Sequence, residues 1–102
     1  MINKACIALL AIAGCAAAIP VDTFTVKGAD SAVSYLARPA TKDAIKRPAL
    51  VLAPEWWGLN GYAQRRAREL AALGYVVLAV DFYGNRKLAT DRSEAGKLAG
   101  GF

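Results

Sequence analysis

An acid followed by two tryptophans, Glu55-Trp56-Trp57 within the run PEWWGLN at 54 to 60, is where this sequence gathers groups able to do chemistry. Taken alone, Glu55 reads as a solvated loop acid. The two rings admit two readings. They could wall a pocket, since large flat side chains exclude water and orient an apolar substrate, or they could cap the top of a sheet as core, with Trp57 the better core member. Further along, Tyr83 and Arg86 follow the segment that carries Asp81, at the sheet edge where α/β proteins place their ligand loops. Asp81 itself reads as a structural turn acid. Other machinery is absent: there is no histidine, and no Gly-x-Ser-x-Gly or Gly-x-Cys-x-Gly turn on which a nucleophile could be presented. The two cysteines, Cys6 and Cys15, both fall in the apolar N-terminal segment. Without His or a Cys cluster, a zinc or blue-copper site is excluded, and no metal or cofactor is implied.

The elements that must position these residues are legible from local signals. Ala49 to Ala53 is a continuous apolar run of strand length, entered after Pro48 and stopped by Pro54, as expected for a strand covered on both faces. Asn60 is a good N-cap, and Gly74 stands where a helix ends with a left-handed residue, so a helix of about three turns lies between them. On it Ala63, Ala67, Leu70 and Ala71 share one face, while Arg65, Arg66, Arg68 and Glu69 turn largely away. Tyr75 to Val80 is a second buried strand, and a strand-helix-strand unit of this length is most simply a right-handed parallel crossover. Ahead of it, Thr23 to Val26 and Ser31 to Arg38 read as a hairpin at the sheet edge, turning at Lys27-Gly28-Ala29-Asp30. After it, Asp91 with Glu94 three residues on predicts a capping box for a last helix, whose apolar face would be Ala95, Leu98, Ala99 and Phe102.

These residues resemble the N-terminal part of the dienelactone hydrolase family, within the α/β-hydrolase fold. The matching words are PEWWGLN at 54 to 60, RRARELAALGYVVLAVDFYG at 65 to 84 and ATDRSEAGKLAG at 89 to 100, with SYLARP at 34 to 39 similar to the family's opening strand. The resemblance implies an α/β chain with an incomplete α/β-hydrolase-like sheet: an N-terminal hairpin, then a strand-helix-strand crossover and a final helix. It implies that Glu55 is the acid that helps to activate a nucleophile and that Trp56 donates its backbone N–H to an oxyanion hole. A main-chain donor fixed at a strand end is preorganised for the charge that develops on an attacked carbonyl. Trp57, Tyr83 and Arg86 become candidates for substrate contact, Arg86 because the family holds a substrate carboxylate with an arginine from this region. Pro54 departs from the pattern, standing where the family often has histidine. The implied reaction is attack on an ester or lactone by Cys or Ser, assisted by His and Asp, through an acyl-enzyme.

Length and targeting complete the expectations. Lys4, the apolar run Ala5 to Ala13 and the small residues up to Pro20 read as a secretory signal over residues 1–18, too short for a confident membrane span. Ala16-Ala17-Ala18 offers an ordinary cleavage site. Alternatively, Ile12-Ala13-Gly14-Cys15 resembles a lipobox, with signal 1–14 and a lipidated Cys15. Either way the product is exported, periplasmic or secreted, and touches a membrane only through that lipid. The expected domain is 19–102, about 84 residues, where a complete α/β-hydrolase sheet takes upward of about 200. Hence the chain reads as the N-terminal fragment of an exported ester or lactone hydrolase, inactive alone. Its partners would be a small-molecule ester or lactone and a complementing C-terminal fragment. The other readings are one half of a split hydrolase, and a non-catalytic exported lipoprotein or binding module. Net charge is +5, from thirteen Lys and Arg against eight Asp and Glu, which does not indicate nucleic acid. Arg65, Arg66 and Arg68 read as a solvated face. In the resembled fold a further strand would lie beside Ala49 to Ala53. Without it that strand keeps unpaired edge groups, so the chain alone is expected to be aggregation-prone or partly unfolded.

Overall fold

The computed structural model describes residues 19–101, so the N-terminal segment with Cys6, Cys15 and both cleavage readings, together with Phe102, lies outside the described residues. Four strands form one sheet in the order β1-β2-β4-β3, where β1 is Val21–Lys27, β2 Val33–Pro39, β3 Ala49–Leu52 and β4 Val76–Ala79. The hairpin pairs β1 with β2 antiparallel, from Val21 opposite Pro39 to Lys27 opposite Val33. Its turn is longer than the spacing of β-formers suggested. A 3-10 turn over Ala29–Ser31 places Asp30 and Ser31 in left-handed conformations, and the second strand therefore starts at Val33 rather than Ser31. β2 runs antiparallel to β4, and β4 parallel to β3, so the strand-helix-strand unit is a parallel crossover.

The crossover helix, α1 (Gly61–Ala72), begins and ends where the chemistry of its ends dictates. The Asn60 side chain accepts the Ala63 N–H at 3.1 Å, satisfying one of the orphan donors of the first turn. At the other end Gly74, at φ 111°, takes the left-handed position that a side chain would oppose. Between them Ala63, Ala67 and Ala71 are buried, and these small residues let α1 lie close on Ala37, Val77 and Ala79 of β2 and β4. Leu59 and Val77 are the largest fully buried side chains of this core, and Leu50, Leu52, Leu70 and Tyr75 pack against its margin.

β3 differs from expectation. The apolar run Ala49–Ala53 predicts a strand covered on both faces; β3 lies at the sheet edge, as the missing neighbour implies, but one of its faces is open, with Val51 73% exposed. Its Leu50 and Leu52 turn toward the α1 core while the alternate residues face the other side, where α1 does not reach. The last helix, α2 (Arg92–Gly100), is capped by Asp91, whose Oδ1 accepts the Glu94 N–H at 2.8 Å. Only half of the expected capping box forms, because the Glu94 carboxylate accepts the Thr90 hydroxyl instead. Of its expected apolar face Ala95 is buried, Leu98 half-buried and Ala99 exposed.

Candidate active site

Two loops leave the carboxyl ends of β3 and β4 and meet. The first, Ala53 to Asn60, is folded on itself: the Gly58 N–H donates to the Glu55 carbonyl at 3.0 Å, and the Asn60 N–H to the Gly58 carbonyl at 2.8 Å. The second, Asp81 to Ala89, holds it from the side. The Tyr83 hydroxyl donates to the Trp56 carbonyl at 2.8 Å, and the Ala89 N–H donates to the Trp57 carbonyl at 3.0 Å. Gly58 makes the contact possible. It has φ 97°, and a Cβ there would stand 2.5 Å from the Lys87 carbonyl oxygen. The peptide planes on either side of the tryptophans are thus tied at both ends.

The second loop is anchored by Asp81, which is 2% exposed. Its Oδ2 accepts the Val33 N–H at 3.0 Å and the Arg86 N–H at 2.8 Å, and its Oδ1 accepts the Gly84 N–H at 3.2 Å. The Asp81 N–H in turn donates to Ser34 Oγ at 3.1 Å. A buried acid with this many donors is a structural hub, and it helps hold Asn85 and Arg86 in left-handed backbone conformations, which asparagine tolerates and arginine does not favour. The hairpin turn is drawn in as well, through the Asn85 N–H bonded to the Ser31 carbonyl at 2.7 Å.

Between the loops lies a cleft of about 210 Å³. Pro54, Glu55 and Trp56 line it from the β3 side, Phe82 and Tyr83 from the β4 side, and Ala99 of α2 closes one end. Glu55 is exposed, and among the described residues its carboxylate has no hydrogen-bond or ion-pair partner. Trp56 and Trp57 meet edge to face, with ring centroids 5.5 Å apart at 64°. Of the residues singled out in the sequence, Glu55, Trp56 and Tyr83 converge on the cleft. Trp57 is half-buried and does not line it. Arg86 does not line it either. Its Nε is buried and lacks a hydrogen-bond partner among the described residues. Phe82, Gly58 and Ala99 were not singled out from sequence. Gly58 carried a readable signal, as the glycine after two bulky rings, whereas Ala99 reaches the cleft only through the placement of α2. Among the described residues no group of three or more His, Cys, Asp or Glu could hold a metal ion.

The dienelactone hydrolase family matches residues 33–101, a stretch that runs from β2 through both loops to the end of α2. The chain belongs to the dienelactone hydrolase family. Solved structures of the family agree with the arrangement of strands and helices. A protein named m3DLH is 32% identical with a TM-score of 0.72, over 79% of this chain and 35% of its own. A dienelactone hydrolase-like promiscuous phosphotriesterase from metagenomic libraries is 27% identical with a TM-score of 0.64, over 81% of this chain and 35% of its own. A dienelactone hydrolase described from Klebsiella pneumoniae is similar in fold, at 20% identity and a TM-score of 0.64, over 76% and 35%. The chain therefore spans about a third of the length of each of these relatives. No curated protein sequence matches it significantly.

The three arginines of α1 are engaged within the molecule. Arg66 pairs with Glu69 at 2.8 Å, Arg65 lies over the Tyr62 ring at 5.3 Å from its centroid, and Arg68 donates to the Tyr35 hydroxyl at 3.0 Å. In this dienelactone hydrolase-family chain all three are exposed, and none lines the cleft.

Proposed function

We propose that the chain supplies the acidic and oxyanion part of a carboxylic-ester or lactone hydrolase site, and that it has no turnover by itself. The observation that carries this reading is the convergence of Glu55, Trp56 and Tyr83 on one cleft whose loop carbonyls are held from both sides. Fixed dipoles matter because charge appears on the carbonyl oxygen only as the nucleophile attacks, and a donor already in place does not have to reorganise. In this reading the Trp56 N–H receives that charge. Glu55 stands beside the incoming Cys or Ser and assists its loss of a proton; the Gly58 N–H on the Glu55 carbonyl holds the peptide that carries the donor, and Tyr83 fixes the next peptide through the Trp56 carbonyl. The nucleophile, its histidine and its aspartate come from sequence outside these 102 residues, which contain no histidine and no nucleophile turn. The reaction passes through an acyl-enzyme and calls on no cofactor.

Export is part of the proposal. It rests on Lys4 and the apolar run that follows, with cleavage after Ala18 or, in the lipoprotein form, lipidation of Cys15. Labelling with radioactive palmitate separates the two, because only the second form loses its label in Cys15→Ala.

A chimera tests the catalytic reading. Residues 33–101 replace the matching part of m3DLH, and hydrolysis of nitrophenyl acetate is followed. The chimera is expected to be active, Glu55→Gln to lower kcat by about 100-fold or more, as loss of a positioned proton-transfer partner does, and Tyr83→Phe to lower it less. An active chimera indifferent to Glu55→Gln would sink the proposal.

A further inference from the structure

The C-terminal end of α1 lacks a charge that helices commonly carry there. Its last turn has no basic side chain, although the final carbonyls of a helix gather partial negative charge and attract a cation. Glu69, close by, is paired with Arg66. Local bonds satisfy part of this end: the Leu70 carbonyl accepts the Leu73 N–H at 3.1 Å, and the Ala71 carbonyl the Gly74 N–H at 2.9 Å. The Ala72 carbonyl is met from outside the helix, by the backbone nitrogen of Ile19 at 3.1 Å.

Ile19 is held there by more than that bond. Its Cδ1 lies 3.9 Å from where a Cβ on Gly74 would stand, so the side chain rests against the glycine that ends the helix. One residue on, the Pro20 carbonyl accepts the Ala40 N–H at 2.7 Å, and β1 then begins at Val21, which packs on the α1 core. Proline fixes its own φ, which stiffens the step from Ile19 into the strand. Arg47 is the other cation at this end. Its Nη1 donates to the Gly74 carbonyl at 3.3 Å, while its Nη2 pairs with Asp43 at 2.9 Å, so its charge is answered within its own loop.

We propose that Ile19 is the first residue of the exported protein and that its α-ammonium caps the C-terminus of α1. This rests on the export reading above and chooses between its two forms. In the lipoprotein form Ile19 keeps an amide, which gives Ala72 one neutral hydrogen bond. Cleavage after Ala18 instead hydrolyses the Ala18–Ile19 peptide bond, leaving a carboxylate on Ala18 and an amine on Ile19 that is protonated at neutral pH. The bond to Ala72 then becomes charge-assisted, with a full positive charge at the negative end of the helix dipole. Ile19 is half-buried, which leaves water within reach of the remaining N–H groups of the ammonium. Processing thus strengthens the seat of the helix whose alanines form the core.

The test begins with expression of the full chain, carrying a C-terminal tag, in a secreting bacterial host and an intact-mass measurement of the exported product. A chain that starts at Ile19 is expected. An exported product that starts at another residue, or a lipidated one that starts at Cys15, overturns the inference and leaves export standing, whereas a product retaining Met1 inside the cell removes both. The capping role has its own readout. Trypsin cuts at Arg65, Arg66 and Arg68 when α1 opens, and its rate is compared between the exported protein and a form in which Ala17 and Ala18 still precede Ile19. The longer form should be cut about two- to fivefold faster, the factor that one charge at a helix end gives. That difference should shrink in about 1 M sodium chloride, where screening is nearly complete beyond about 3 Å. Equal rates, or a difference that salt leaves unchanged, would show that the ammonium does not cap α1.

Discussion

The two faces of the sheet carry nearly the same kind of side chain and have opposite fates. Under α1, Ala37, Val77 and Ala79 are inaccessible to water, because Ala63, Ala67 and Ala71 bring the helix down on them without a gap. On the other face the central-strand residues Leu36 and Leu78 are only half-buried, and on the edge strands Phe24 is 42% and Val51 73% exposed. Hydrophobicity alone therefore does not decide burial. What decides it is whether a second element of matching shape is at hand, and on one face the chain provides its own.

Substitutions can break or sharpen this contrast. The largest effect is expected on the closed side, where Leu59→Ala opens a cavity beside α1 and should cost about 2–5 kcal/mol, read from urea unfolding followed by far-ultraviolet circular dichroism. Ala67→Leu attacks the same contact from the other direction. With the helix seated directly on the sheet, the added atoms find no room, and a loss of about 1–3 kcal/mol is expected in the same measurement. On the open side, Val51→Lys should change unfolding by no more than about 0.5 kcal/mol while reducing self-association, measured by light scattering against concentration. A loss as large as that at Ala67 would mean that the second face is closed after all. The smallest effect lies in the loop before β3. The Thr41 hydroxyl, followed by the Ile45 N–H and Arg47, holds the Asp43 carboxyl below its ordinary value of 3.8. Since its folded pKa is lowered, whatever stability it contributes is present above 3.8 and is lost as pH falls through the lower folded value. Asp43→Asn should remove that acid-side dependence, and its exposure keeps the change small.

Much of the fold could be read because its signals are local. Asn60 and Gly74 bracket α1 through hydrogen bonds and backbone angles that involve residues within a few positions of each, and the alanine face repeats at helical spacing. The cleft was legible only in outline. That Glu55 and Trp56 stand at a strand end follows from Pro54 closing an apolar run, but the Tyr83 bond to the Trp56 carbonyl joins residues 27 apart. The Asp81 hub, which fixes the loop that carries Tyr83, reaches 47 and 48 positions back to Ser34 and Val33. No periodicity encodes such ties. The mistaken expectation at β3 has a different origin: a wholly apolar strand is written the same way whether its second face is covered by the same chain or left for another surface.

The most direct measurement is ester turnover by the purified chain itself. With nitrophenyl acetate the account predicts no rate above the uncatalysed background, for wild type and Glu55→Gln alike, because the carbonyl would meet an acid and an oxyanion donor but no nucleophile. Saturable hydrolysis that survives repurification and disappears in Glu55→Gln would contradict it, since the chain would then possess a complete chemistry of its own.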